Sequence, residues 1–208
     1  YTDGLKYLGM KFDQERSEPF EGASGVIHPL LGEAVTNFQA QAYKELLPSN
    51  GPVKTQVVGK YDQMVEEQAQ RVADFMNYQI VHVMEEFDEE LDQMLFYLPL
   101  AGSAFKKIYY DEALGRAVSK FVAPEDLIVP YFTTDLENCP RITNVVKMPE
   151  NEVKKLQAMG FYRKVEVGTA DNEEYSQVQE EIDELSGLEP SYDMGEVSVL
   201  YEIHCNLD

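Results

Sequence analysis

The chain has no tryptophan, only two cysteines, and not one lysine or arginine in the 44 residues after Lys164. Two thiols, Cys139 and Cys205, are too few for a disulfide framework and fit a protein made in a reducing compartment. The base-free stretch holds 13 Asp or Glu, more than half of the formal net charge of −21. Nucleic-acid binders neutralise phosphates with clustered basic side chains, so this half is not expected to grip DNA. A long apolar run is missing too. The least polar stretch, Met94 to Phe105, is interrupted by Pro99 and falls short of the roughly 20 apolar residues of a membrane span. No membrane partner is expected. The opening YTDGLKYLGMKFDQERSE is polar and mixed in charge, without the pattern of a secretory signal.

Catalytic motifs are scarce as well. Gly59-Lys60 resembles the end of a phosphate loop, but Lys54 stands where the first glycine belongs and Tyr61 replaces the Ser or Thr. Gly22-Ala-Ser-Gly25 has Ser and Gly too close for a nucleophile elbow. HExxH, CxxC and an EF-hand loop are not found. His28, His82 and His204 are scattered and read as structural or surface residues. A metal site would require His82 to meet Glu85 or Glu86 and a distant partner. Glu152-Val153-Lys154 has the letters of a nuclease motif but reads as helix rather than strand. No catalytic, cofactor-binding or metal-ligating residue is assigned, no cofactor is expected, and the chain is not expected to be an enzyme.

What is present is a foldable composition. At 208 residues and 44% hydrophobic, the chain can bury a substantial core in one or two domains. It starts at Tyr1 and ends directly after a strand-like run, which predicts that the native protein continues in both directions.

Residues 1–30 read as irregular, with a defined loop from Glu18 to Pro29. Leu31, Val35, Phe38, Ala42 and Leu46 predict a helix, stopped by Pro48-Ser-Asn-Gly-Pro52. Residues 53–58 alternate like a short strand. From Val65 to Leu98 apolar residues then step by three or four without a miss. One helix from Tyr61 to Leu98 would be roughly 57 Å long, so a break near Phe87 to Glu90 is expected, with Pro99 ending or kinking the helix. A β-hairpin is predicted over 105–122, with Gly115 in its turn. Strands follow at 127–129 and 142–146, then a helix from Glu150 to Met159 opened by Pro149 and closed by Gly160. Glu173 to Leu185 reads as a solvated helix and Glu196 to His204 as a strand. The fold class is α+β: long amphipathic helices packed with a small, mostly antiparallel sheet. The parts are 1–30, a helical part 31–104, hairpin and sheet with a short helix 105–164, and an acidic segment with a final strand 165–208. Residues 31–208 are expected to form one domain of a longer protein.

The sharpest local feature is the run Glu85, Glu86, Asp88, Glu89, Glu90 and Asp92. Carboxylates at i and i+4 repel by a few tenths of a kcal/mol, which a solvated face tolerates. The run is also a candidate interaction surface for a basic partner or a divalent ion.

The block from Glu18 to Gly59, containing PFEGASGVIHPLLGEAVTNFQAQAYKELLPSNGPVKTQVVG, resembles the portal proteins of tailed bacteriophages, the short-tailed type in particular. The resemblance continues through NYQIVHVMEEFDEELDQMLFYLPLAGSAFKKIYYDEALGR and FVAPEDLIVPYFTTDLENCPRITNVVKMPENEVKKLQAMGFYR. It covers most of residues 7–164. Beyond that, only an acidic stretch and a strand with Tyr201-Glu-Ile-His204 correspond.

The resemblance implies a virion protein assembled in the host cytoplasm. Such proteins form a ring, usually of twelve copies, at the unique capsid vertex. Double-stranded DNA passes through the ring during packaging and ejection without sequence-specific binding. The implied partners are further copies of the chain, the terminase large subunit, the major capsid protein and head–tail adaptor proteins. Terminase, not the portal, hydrolyses ATP. This chain would correspond to the N-terminal, largely outward-facing wing region, with stem, clip and channel-lining helices beyond Asp208. Two other readings stay open: an acidic module that recruits a basic partner, and a metal-dependent hydrolase built on the carboxylate run.

Overall fold

The computed structural model describes residues 1–9, 20, 22, 28–167, 182 and 197–206. The fold is α+β, and the chain divides into two compact units. One is Leu30–Ala123; the other combines Tyr1–Pro29 with Pro124–Asp208.

In the Leu30–Ala123 unit, helix α2 (Leu30–Leu46) is followed by a connecting segment and then α3 (Gln63–Tyr78). Asp62 caps α3, its carboxylate accepting from the Met64 N–H. A π-helical turn, Gln79–Val83, follows. Ile80, Val81 and Val83 are β-branched and disfavour a regular helix, so the long periodic stretch breaks at Met84, slightly earlier than its sequence suggests. Helix α4 (Phe87–Ala101) carries Pro99 inside it and ends two residues later, followed by left-handed Gly102 with φ of 77°. Strands β1 (Phe105–Asp111) and β2 (Arg116–Val122) make the expected hairpin, in register from Phe105 against Val122 to Asp111 against Arg116. Its core holds Val35 from α2, Leu91 and Leu95 from α4, and Val118 and Val122 from β2.

Residues 53–58 form no strand. The start of the segment is tied to α3 instead. Asn77 accepts from the Val53 N–H at 2.9 Å and donates to the Val53 carbonyl at 3.1 Å. Thr55 donates to the Ala69 carbonyl at 2.9 Å. The Val53 backbone is thus satisfied by a helix side chain rather than by a neighbouring strand. The approach is close: a Cβ on Gly51, whose φ is +89°, would lie 2.4 Å from Asn77 Cγ.

The other unit contains β3 (Leu127–Ile128), β4 (Arg141–Pro149) and β5 (Val197–Cys205), an antiparallel sheet in the order β3-β4-β5. Helix α5 (Glu150–Ala158) packs on it and buries Val153. Pro149 is the residue just before α5, and Gly160 follows its end at φ +83°. The stretch 1–30, which reads as irregular, contains helix α1 (Thr2–Leu8). Its seven residues are too few to show a helical period. The helix expected over Glu173–Leu185 lies outside the described residues, Ile182 excepted. The single small sheet expected from sequence is two separate sheets.

Candidate functional site: the acidic start of the fourth helix

The carboxylate run sits at the start of α4, where aligned backbone N–H groups favour negative charge. Asp88, Glu89 and Glu90 occupy its first turn. Four residues of helix rise about 6 Å, and two residues of strand advance about 6.7 Å. A carboxylate pair at i and i+4 can therefore serve every second N–H along a strand edge. Glu86 and Glu90 do this. Glu86 Oε1 accepts from the Ser119 N–H at 3.1 Å, and Glu90 Oε2 accepts from the Phe121 N–H at 2.6 Å. Both partners lie on β2, whose other edge is paired with β1. The two glutamates thus close the outer edge of β2 against any further strand.

Glu86 also holds Arg116 at the start of β2, with Nη1 2.6 Å from Oε2. Partial burial pushes the Glu86 carboxyl up. Its own backbone N–H, the Arg116 guanidinium and the Ser119 N–H outweigh that and hold it below the ordinary value. Lys106, opposite Phe121 in the hairpin, completes the cluster. Its ammonium lies 3.6 Å from the centre of the Phe87 ring. Burial lowers its pKa, against the opposing pull of Glu90 and Glu86.

The other side of α4 faces α2. Asp88 accepts from the Tyr43 hydroxyl, and Asp92 Oδ1 accepts from Gln39 Nε2 at 2.8 Å. The hydrogen bond to Asp88 is the main cause of a raised Tyr43 pKa. Residues 39 and 43 meet 92 and 88 in reverse order, so the helices run antiparallel.

Of the six residues singled out from sequence, Glu86, Asp88, Glu90 and Asp92 are therefore bonded inside the unit. Glu85 and Glu89 are exposed, and so are Asp88 and Asp92 despite their bonds. Among the described residues no three His, Cys, Asp or Glu side chains are grouped to hold a metal ion. His82 lies against Tyr78 with ring centroids 5.4 Å apart, and His204 lies 2.9 Å from Glu202. Cys139 Sγ donates to the Arg141 carbonyl at 2.9 Å. Glu152, Val153 and Lys154 lie on α5, as expected.

Sequence reasoning missed Asn77 and Arg116. Asn77 was legible in principle, since asparagine inside a helix is a weak helix former and often bonds elsewhere. It also missed an exposed apolar stripe on α3, formed by Met64, Val65, Val72, Phe75 and Met76. The chain matches no protein-family profile and no curated protein.

Proposed function

We propose that the chain is a structural, non-enzymatic subunit of a portal-type ring. The ring would form the conduit for DNA at a capsid vertex and the docking site for terminase and head–tail connector proteins. The sequence resemblance supplies the family. The observation that supports the reading independently is the α3 stripe, where Met64 is 66% and Phe75 62% exposed. Contiguous apolar surface of this kind marks a protein contact. The carboxylate run fits a structural role as well, because most of it holds a helix, a hairpin and a neighbouring helix together.

Electron microscopy of the assembled protein tests this. Closed rings are the expected result, and monomers under every assembly condition would overturn it. Recruitment of a basic partner would rest on exposed Glu85 and Glu89, and predicts salt-sensitive capture lost when both become Gln. A carboxylate hydrolase predicts stoichiometric magnesium or manganese binding by calorimetry, abolished when Glu85, Glu86 and Glu89 become Gln together.

A further inference from the structure

Helix α3 carries one broad apolar face, and only part of it is covered. Ala73 is buried, Ala69 and Asn77 are partly covered, and all three lie on the side bound by the 53–58 segment. The stripe from Met64 to Met76 adjoins that covered side, with Val65 one turn from Ala69 and Met76 one turn from Ala73, and its five apolar side chains are exposed around exposed Gln68. Its five side chains present on the order of 500 Å² of apolar surface. With a polar rim, that approaches the roughly 800 Å² per partner of a standard interface. Glu67, Arg71 and Asp74 run along one edge. Residues 62–76 together carry four acidic residues and one basic residue.

A second apolar surface lies in the other unit, on the turn after α5. Phe161 is 70% exposed, and Met159 and Val165 are exposed beside it. The turn is built rather than loose. The Phe161 and Tyr162 N–H groups both donate to the Leu156 carbonyl, at 3.0 and 3.3 Å. Gln157 Nε2 donates to the Val165 carbonyl at 2.8 Å. Residues 155–165 carry Lys155, Arg163 and Lys164 and no acidic residue. In a chain of net charge −21, most surfaces of one copy repel those of another. This turn is apolar and locally positive, so the acidic α3 of another copy can approach it.

We propose that the α3 stripe of one copy docks on the turn after α5 of a second copy. The contact is head-to-tail, because stripe against stripe would oppose two acidic helices. Contacts of this type close into rings when the rotation per copy allows. The proposal builds on the ring-subunit reading and gives it a surface.

The test uses two variants of this chain. Val72→Glu with Phe75→Glu blocks the stripe, and Phe161→Glu with Lys164→Glu blocks the turn. All four side chains are exposed, and circular dichroism melts verify folding. Sedimentation velocity should show concentration-dependent assembly for the parent chain and monomers for each variant alone. An equimolar mixture of the variants should form dimers and nothing larger, since it retains one intact stripe and one intact turn. A parent chain that stays monomeric overturns the contact. So does a turn-blocked variant that dimerises alone, which would indicate symmetric stripe pairing. A mixture that stays monomeric while the parent assembles overturns the contact yet leaves the ring reading standing on another surface. As an independent arm, Glu67→Lys with Asp74→Lys should weaken assembly about tenfold or more. Adding Arg163→Glu with Lys164→Glu to the same chain should restore it; failure to restore counts against the pairing.

Discussion

Helices α3 and α4 read almost identically in the sequence, as one unbroken run of apolar residues three or four apart, but the structure treats them differently. Helix α4 packs between α2 and β2 and buries Leu91 and Leu95. Helix α3 is tied to the 53–58 segment on one side and leaves its stripe exposed. A helical period states that a face exists; it does not state whether the same chain supplies the cover. The acidic residues show the converse. Those on α4 look like solvated surface in the sequence, and most of them are structural bonds. Charge patterning alone therefore overstated the outward surface of α4, and periodicity alone overstated the core of α3.

The most direct way to break this comparison is truncation. Leu95 is 1% exposed, so Leu95→Ala should cost about 2–5 kcal/mol in urea unfolding, through lost burial and the cavity left behind. Val72→Ala should change stability by no more than about 0.5 kcal/mol. Equal costs would mean that the stripe is covered by its own chain.

The carboxylate clamp comes next. Glu90→Gln keeps an acceptor for the Phe121 N–H, whereas Glu90→Ala leaves it unpaired and should cost about 1–3 kcal/mol. Glu86→Ala also strands Arg116 and should cost at least as much. Because the folded-state pKa of Glu86 is depressed, its contribution is fully present above the ordinary unfolded value of about 4.3. It fades as pH falls through the lowered folded value. Stability of the parent chain should therefore drop more steeply than that of Glu86→Gln below about pH 4. Parallel pH curves would show that the bond contributes nothing.

A third test concerns how α3 holds its covered side. Gly51→Ala must adopt a positive φ and push against Asn77, and should cost about 1–2 kcal/mol. Asn77→Leu should free residues 53–58 and accelerate amide exchange at Val53, with little change in β1 and β2. Uniform acceleration across the unit would show that the segment is integral to the core.

Much of this architecture was legible from the chain. The α2 pattern from Leu31 to Leu46, the hairpin turn at Gly115, the Pro149 start and Gly160 end of α5, and the alternation of β5 are local signals, and local physics decided them. The break at Met84 was legible in kind but not in place, because it depends on a β-branched cluster inside an otherwise strong period. Residues 53–58 were misread because alternation does not report what the backbone bonds to. The clamp was illegible for a related reason. The spacing of Glu86 and Glu90 matches the outward N–H groups of β2 only once α4 lies alongside β2, and nothing within the run itself announces that neighbour.

Glu85 and Glu89 provide the smallest effect and the cleanest contrast. Both are exposed, Glu85 in the turn before α4 and Glu89 in its first turn, beside carboxylates that are bonded inward. Within a helix like charges four residues apart cost a few tenths of a kcal/mol; with Glu85 before the helix the repulsion should be no larger, and salt screens it. Replacing both with Gln should therefore stabilise the chain by at most about 0.5 kcal/mol at low salt. Replacing Glu89 also removes a carboxylate from its favourable place at the helix start, and because salt screens both effects the change should shrink toward zero as salt rises. A loss comparable to Glu86→Ala would place these two carboxylates in the clamp as well. A negligible change places both outside the clamp and leaves them open to a partner.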